Sequence, residues 1–454
     1  MRILTNKYKN ILLRIVTIAL PMVIQGIVFQ IQSLTDKAFL GNLDTKYISA
    51  LGAAQFPFYM TLDSIFALCT GVVIIVSQLF GSNKKNNINK YVKSVMFFNS
   101  LISIFLFIIW FCFPKQIFHL LAVDENIIQY CIHYVRISSI YFFFLGVDSS
   151  LQAMLQGLGN TRPIMISGII KVVLNVFISW VLIFGHFGFP AMYVEGAAIG
   201  GLLANILSSL FMIFYCFYIK KREYQLHLDK SQWMNVECYK KVFQLGLPTG
   251  MEYFLWNASN LVLIRALNSF SELATAIYTI TFGIEIVVFA IFNGTSKASM
   301  TLMGQRIGNR DVKHANQILN ICMILNLLIV STAIIIFILC PEQILSIFTK
   351  NPDTIKQTIP YLIFTAFIML PKSMNVVIGN GIRAYGDTKW MLNSQILGST
   401  FIVLCSFVLI NVFKLHITAI YVTIFMDETI RAIINYCHFL NKYKNIQLID
   451  ELTY

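Results

Sequence analysis

Charged side chains lie inside the long apolar runs of this sequence, where water is scarce. The acids there are Asp36, Asp63, Asp148, Glu252, Glu285, Asp427 and Glu428, and the bases are Lys37, Arg136, Lys171, Arg265, Lys297, Lys372 and Arg431. A charge at the centre of a bilayer costs about 2.5–3.5 kcal/mol, so each of these groups needs a partner or a purpose. Such carboxylates can bind a proton or a metal cation, and they can equally form structural ion pairs. Asp427 and Arg431 are four residues apart, which predicts a pair on one helix face.

The sequence offers no constellation for catalysis. It contains no HExxH motif and no CxxC spacing, and its nine cysteines are scattered. These patterns argue against a metalloprotease-like centre, a structural zinc site and a disulfide framework. We therefore expect no catalytic residue, no enzyme activity and no cofactor apart from a coupling ion, Na+ or H+.

The composition predicts an integral membrane protein. The mean hydropathy is +0.71, 57% of residues are hydrophobic and 12% are charged, against about 25% charged in soluble domains. Runs long enough to span a bilayer as helices occur at about 12–36, 47–76, 92–113, 128–156, 164–185, 193–219, 244–268, 273–303, 315–340, 355–381, 391–413 and 416–440. The runs are continuous rather than alternating, which excludes a β-barrel. The expected fold class is all-α with twelve transmembrane helices.

The two halves of the chain repeat each other at an offset of 227 residues. Pro21 corresponds in this way to Pro248, and Gly81 corresponds to Gly308. An internal repeat in a membrane protein is typical of a two-lobed transporter with a cleft between similar halves. We expect two pseudo-symmetric six-helix bundles, with an N-terminal lobe at 1–219, a cytoplasmic linker at 220–241 and a C-terminal lobe at 242–454.

The basic residues predict the orientation. The net charge of +13 is concentrated in the connections on one side of the predicted membrane, including those around Lys84 and Lys220. The positive-inside rule places that side and both termini in the cytoplasm, in a multi-pass protein of the cell inner membrane. The charge is spread over short loops, so we expect no nucleic-acid partner. The expected partners are small organic substrates and membrane lipids, and the expected state is a monomer.

Short motifs in both halves resemble a known family. They are Thr35 to Gly41, Gln78 to Gly81, Leu155 to Thr161 with Asn175, Gly246 to Pro248, Gln305 to Gly308, and Ile382 to Thr388. Together, over nearly the whole chain, they resemble the multidrug and toxic compound extrusion (MATE) transporters. The resemblance implies two bundles facing a central cavity, and export of organic, often cationic compounds driven by inward sodium or protons.

The resemblance also implies site residues. An acid at the position of Asp36 is the usual proton or cation site of the family, and Asn175 matches a polar residue near it. Together they could bind Na+. The alternative is that Asp36 only neutralises Lys171. Glu252 is the second candidate, with Trp256 one turn later beside it.

Two positions depart from the coupling residues of known branches of the family. Lys372 and Ser179 each stand where one branch has an acid. Coupling would then depend on Asp36, on Glu252, or on Asp148 or Glu285.

Two functions remain open from the sequence. The first is a cation-coupled antiporter that exports amphipathic, cationic organic compounds by alternating access. The alternative is a lipid-linked sugar flippase of the same superfamily, which would need a strongly cationic cavity. Lys37, Lys171, Lys297 and Lys372, clustered without acids, would favour the flippase.

Overall fold

The computed structural model of the chain describes residues 2–41, 43–220, 224, 233–268 and 270–443. Within these residues the protein is built of helices and contains no strand. The first half consists of α1 (Arg2–Gly41), α2 (Thr45–Leu68), α3 (Thr70–Gly81), α4 (Lys85–Cys112), α5 (Pro114–Leu120), α6 (Glu125–Ser139), α7 (Phe142–Leu158), α8 (Arg162–Phe184) and α9 (Tyr193–Phe214). A π-helical turn, Tyr215–Ile219, continues α9.

The second half repeats this order. It consists of α10 (Val236–Asn268), α11 (Glu272–Gly308), α12 (Val312–Leu339), α13 (Pro341–Leu345), α14 (Pro352–Ala384), α15 (Thr388–Asn411) and α16 (His416–Tyr443). The offset of 227 residues recurs in the boundaries, since α4 begins at Lys85 and α12 begins at Val312. All twelve predicted spans lie in helices, and the all-α prediction is confirmed.

The halves differ in how continuous two of their spans are. In the first half a turn at Cys69 separates α2 from α3, and α6 meets α7 at an angle of 56°. Their counterparts in the second half, α11 and α14, are unbroken helices. The bend before α7 sets the direction of a helix that carries a buried acid.

Apolar length supports a multi-pass membrane protein. Among the described residues, nine helices are long and apolar enough to cross a membrane, and ten if α6 and α7 form one bent span. The two remaining predicted spans are α10 and α16. They are helical but more polar, because α10 carries Glu252 and α16 carries Asp427, Glu428 and Arg431.

The chain forms two compact units, one made of Met1–Val23 and Met251–Tyr454 and the other of Ile24–Gly250. The start of α1 therefore belongs with the second half, and the start of α10 with the first. Gly246 allows this in the second unit, since a Cβ there would lie 2.8 Å from the carbonyl carbon of Leu68. The predicted lobe boundaries are different, and half of the predicted linker at 220–241 lies outside the described residues.

Aromatic packing fixes the helices of the first half. The ring of Phe58 on α2 lies 5.5 Å from the rings of Trp110 on α4 and Phe142 on α7, in edge-to-face geometry. Such pairs contribute about 0.5–1.5 kcal/mol each beyond the area that they bury. This cluster holds the start of α7 in place just before its buried acid.

Candidate functional site

Asp36 lies on the buried face of α1. Its side chain is 3% exposed, whereas the adjacent Lys37 is exposed, because neighbouring helical residues point in different directions. The side-chain amide of Asn175 on α8 can form hydrogen bonds with all its polar neighbours in only one of its two orientations. In that orientation its nitrogen donates to Asp36 Oδ1 at 3.3 Å, and its oxygen accepts from Ser179 Oγ and Gly201 N, each at 3.3 Å. The predicted proximity of Asp36 and Asn175 is thus found, and the direct partner of the acid is neutral.

Lys171 lies one turn before Asn175 on α8. Its ammonium is 5.4 Å from the centre of the Phe29 ring and interacts electrostatically with Asp148, Asp63 and Asp36. The positive charge is therefore shared among several carboxylates. Asp63 itself is exposed, so the buried members of this group are Asp36 and Asp148.

Asp148 is the second buried acid of the first half. Its Oδ2 accepts hydrogen bonds from the hydroxyl of Tyr141 at 2.8 Å and from Nε2 of Gln152 at 3.0 Å. A close helix contact positions it, because a Cβ at Gly146 would lie only 2.6 Å from Ser100 Cα on α4. As with Asp36, its hydrogen-bond donors are neutral.

Glu252 on α10 forms an ion pair with Arg383 on α14, with Arg383 Nη2 2.5 Å from Glu252 Oε1. The side chain of Arg383 is 10% exposed and that of Glu252 is 12% exposed. The predicted span at 355–381 ends before Arg383, but the structure places this residue, buried, in the last turn of α14. Arg383 lies about three helical turns after Lys372, and this spacing could have indicated that both residues lie on the same face of one helix. Trp256 is half-buried one turn after Glu252.

Glu285 on α11 forms a second buried ion pair across helices. The ammonium of Lys372 on α14 lies 2.5 Å from Glu285 Oε1 and 5.8 Å from the centre of the Phe289 ring. Lys372 and Arg383 are eleven residues apart, about three helical turns, and so lie on one face of α14. The two basic side chains on that face each pair with one acid, and the two acids lie on two neighbouring helices.

The acids of α16 are paired as well. Arg431 Nη2 lies 2.6 Å from Asp427 Oδ2 and 3.2 Å from Glu428 Oε1, which confirms the predicted pair with Asp427. Arg431 Nη1 also donates to Gln395 on α15 at 2.8 Å. Glu428 accepts a hydrogen bond from Asn375 on α14 at 2.8 Å. These contacts join α14, α15 and α16 through polar groups in the interior.

The buried acids thus have different kinds of partner in the two halves. In the second half, each of the four acids lies within 3.2 Å of an arginine or lysine nitrogen. In the first half, Asp36 and Asp148 accept hydrogen bonds from an amide, a phenol and a glutamine. An acid without a bound internal cation is the one that can take up a cation from solution.

Not every predicted intramembrane base is buried. Arg136 and Arg265 are exposed, like Lys37, and Arg136 Nε donates to the carbonyl of Phe111 at 3.2 Å. In the part of the chain that the structure describes, no three histidine, cysteine or acidic side chains come together as a metal centre. Sodium held by both Asp36 and Asn175 would need the amide to turn its oxygen toward the carboxylate, because its nitrogen faces Asp36 in the orientation that satisfies its neighbours.

Comparison with known proteins gives a consistent result. The profile of the MatE family matches residues 21–181 and 248–413, two segments that begin at Pro21 and Pro248 and together cover more than half of the chain. The chain is 27% identical over 447 residues to the probable multidrug resistance protein NorM of Thermotoga maritima, covering 94% of this chain and 92% of that one. It is 25% identical over 416 residues to the uncharacterized transporter YisQ of Bacillus subtilis, covering 88% and 89%.

Solved structures match over the same extent. One is described as the outward-facing conformation of a multidrug resistance MATE family transporter of the MOP superfamily, with a TM-score of 0.87 at 18% identity and 95% of both chains covered. Another is a MOP superfamily transporter from Pyrococcus furiosus whose binding pocket is described as having reverse polarity, with a TM-score of 0.85 at 18% identity and 95% of both chains covered. At this level of identity these similarities establish the shared fold.

Proposed function

This chain belongs to the MatE family of membrane transporters, and from that premise we propose that it exports amphipathic, cationic organic compounds in exchange for an inward cation, H+ or Na+. The name of its relative in Thermotoga maritima, a probable multidrug resistance protein, supports the export of drug-like compounds. The residues proposed to bind the coupling cation are Asp36 and Asn175.

The observation that carries this proposal is the state of Asp36. Its carboxylate is buried, and its direct hydrogen-bond partner is the neutral amide of Asn175. Burying an uncompensated carboxylate is costly, and binding a cation removes most of that cost. The free energy of the bound cation is thus available to favour one conformation of the first half over another.

We propose that this difference drives alternating access between the predicted lobes, 1–219 and 242–454. In the cation-free state Asp36 is negatively charged and is accessible to the cationic substrate. In the cation-bound state the site is neutral and can rearrange without moving charge through the apolar interior. A membrane potential of 100 mV contributes roughly 2.3 kcal/mol for each net charge that moves inward, so it drives export only when more than one coupling cation enters per cationic compound.

The second half has a supporting role in this proposal. Glu252 and Glu285, both candidates from the sequence, each bind an internal cation, Arg383 and Lys372. We assign them to holding helices together, with Trp256 packing beside Glu252.

The flippase alternative has less support. It requires lysines clustered away from acids, but Lys171 interacts with three carboxylates and Lys372 binds Glu285. Lys37 is exposed. An anionic pyrophosphate would therefore meet carboxylates beside Lys171 and Lys372.

The test is gradient-driven efflux of a cationic dye, measured as dye uptake into everted vesicles, whose lumen corresponds to the cell exterior, under imposed proton and sodium gradients. Asp36→Asn should reduce gradient-driven efflux by at least about tenfold, the factor that corresponds to roughly 1.4 kcal/mol of coupling. Asp44→Asn is the matched control, because Asp44 is an exposed helix cap and Asn is an equally good cap. Efflux that ignores both gradients in the unmodified protein would reject the coupling, and the gradient that works identifies the ion.

The location of the protein completes the proposal. We propose a monomer in the cell inner membrane with both termini in the cytoplasm, as the distribution of basic residues predicts. Reporter domains fused at each end, active only on one side of the membrane, would test the orientation.

A further inference from the structure

Asp148 has a buried carboxylate oxygen that lacks a hydrogen-bond donor. The side chain is 3% exposed, and Tyr141 and Gln152 both donate to Oδ2. Oδ1 is buried and has no hydrogen-bond partner. A buried, negatively charged oxygen without a donor is rare in folded proteins because its desolvation is not compensated. A proton bound at Oδ1 would remove the charge that lacks a donor there.

A chain of amides links Asp148 to the helix of Asp36. Gln152, one turn after Asp148 on α7, accepts a hydrogen bond at 3.4 Å from Nε2 of Gln25 on α1. Gln25 and Asp36 are eleven residues apart, about three turns, and so lie on the same face of α1. A change at Asp148 can therefore reach the helix that carries the proposed coupling residue.

A single lysine serves both acids. Lys171 interacts electrostatically with Asp148 and with Asp36, as well as with the exposed Asp63. One ammonium cannot fully neutralise two buried carboxylates, so the protonation of the two acids is coupled through it.

The remaining titratable groups near Asp148 are neutral at physiological pH. They are the phenol of Tyr141 on α7, the thiol of Cys69 between α2 and α3, and the thiol of Cys216 in the π-helical turn. The hydroxyl of Ser209 on α9 donates its hydrogen bond to the carbonyl of Asn205 at 2.9 Å. Among the groups described around Asp148, Lys171 is thus the charge that controls its protonation.

We propose that Asp148 is a second proton-binding site of the first half, which shares the positive charge of Lys171 with Asp36. The coupling of this site to transport rests on the proposed antiport function, whereas the binding of the proton does not. The ligand is a proton, which needs no further oxygen ligands, and among the described residues no three histidine, cysteine or acidic side chains gather to hold a metal ion.

Infrared spectroscopy of the purified protein in lipid nanodiscs tests the site directly. A protonated carboxyl group gives a carbonyl stretching band that an ionised one lacks. In an Asp36→Asn background, this band should titrate with pH, should be lost on adding Asp148→Asn, and should persist on adding Asp63→Asn. A band that survives Asp148→Asn, or no titrating band in the Asp36→Asn background, would overturn the assignment.

Lys171→Met gives a second test that leaves Asp148 in place, should Asp148→Asn fail to fold. Without the ammonium, the titration of the band should move to more alkaline pH, because the neighbouring positive charge no longer favours the ionised form. An unchanged titration would contradict the shared-lysine arrangement.

Proton release on substrate binding separates this inference from the proposed function. The unmodified protein in detergent should release protons when a cationic dye binds, and Asp148→Asn should lower the release by about one proton per dye, as for coupled sites. If the dye releases no proton from the unmodified protein while the Asp148 band is present, the proton-coupled form of the antiport proposal fails and the site stands. If release is unaffected by Asp148→Asn and the band is absent, the site fails and the antiport proposal stands.

Discussion

Arg383 and Glu252, which are 131 residues apart in the chain, form a buried ion pair, with Arg383 Nη2 2.5 Å from Glu252 Oε1. The pair has a single hydrogen bond, since Glu252 Oε2 and Arg383 Nε have no partner of their own. It joins α10 to the last turn of α14. The net value of such a pair is small compared with the cost of breaking it, because desolvation offsets most of the attraction.

Removing one partner of this pair should therefore lower the free energy of unfolding much more than removing both. We expect Arg383→Met to lower the free energy of unfolding by about 3–5 kcal/mol, because it leaves a buried carboxylate uncompensated. Glu252→Gln combined with Arg383→Met should recover most of the loss. Thermal unfolding followed by tryptophan fluorescence in detergent measures both. Equal losses in the single and the double variant would show that the pair does not act as a unit.

Lys372 and Glu285 allow structure and coupling to be separated. If the second half only holds helices together, Glu285→Gln with Lys372→Met should retain gradient-driven dye efflux within about threefold, less than 1 kcal/mol of coupling. Lys372→Met alone should reduce the amount of folded protein, because Glu285 is then unpaired. Efflux per folded molecule is the measurement. A double variant that folds but no longer responds to either gradient would place the coupling site in the second half.

The sequence predicted the helices well but predicted contacts only where they are local. The pair of Asp427 and Arg431 follows from a spacing of four on one helix, and the structure confirms it. Glu252 and Arg383 belong to different helices, and a single sequence contains no distance between them. The proximity of Asp36 and Asn175 came from the resemblance to a family rather than from the pattern of residues.

The predicted span at 355–381 ends before Arg383 for a physical reason. An arginine followed by Gly386 and Asp387 is typical of a connecting loop, and hydropathy ends the apolar run there. The helix nevertheless continues to Ala384, because Glu252 compensates the guanidinium and makes its burial tolerable. Where the end of a helix depends on a counter-charge from a distant part of the chain, hydropathy and local motifs do not predict it.

Asp387, in the connection between α14 and α15, should make stability depend on pH. Burial raises its pKa, but hydrogen bonds from Lys442 (2.7 Å), Tyr443 (2.7 Å) and His438 (2.9 Å) outweigh burial, so the pKa is lower than its ordinary value of 3.8. A lowered pKa means that this contribution is fully present above pH 3.8 and is lost as pH falls through the lower folded-state value.

Asp387→Asn tests this contribution. The variant should be less stable near neutral pH by about 1–2 kcal/mol, on the order of one charge-assisted hydrogen bond at a partly exposed site. The difference from the unmodified protein should stay constant between about pH 6 and 8 and should shrink once the pH falls below the ordinary carboxyl range. Unfolding temperatures measured against pH provide the comparison. A difference that grows as the pH falls would mean that the sign is wrong.

Gly146 and Gly52 form a matched pair for testing how closely α7 must approach α4. A Cβ at Gly146 would lie 2.6 Å from Ser100 Cα and 2.7 Å from the carbonyl carbon of Asn99, both backbone atoms that cannot move aside locally. Gly146→Ala should therefore push α7 away from α4 and displace Asp148 two residues later. A loss of about 1–3 kcal/mol, typical of overpacking, is expected, together with weaker gradient-driven efflux.

Gly52 on α2 has no atom within 4 Å of an added Cβ. Gly52→Ala should be neutral or stabilising by up to about 1 kcal/mol, because alanine favours a helix more than glycine does. Thermal unfolding and dye efflux of the two alanine variants, measured side by side, separate close packing from helix propensity. Gly146→Ala that behaves like Gly52→Ala would mean that α7 tolerates a wider separation, and that the position of Asp148 does not depend on this contact.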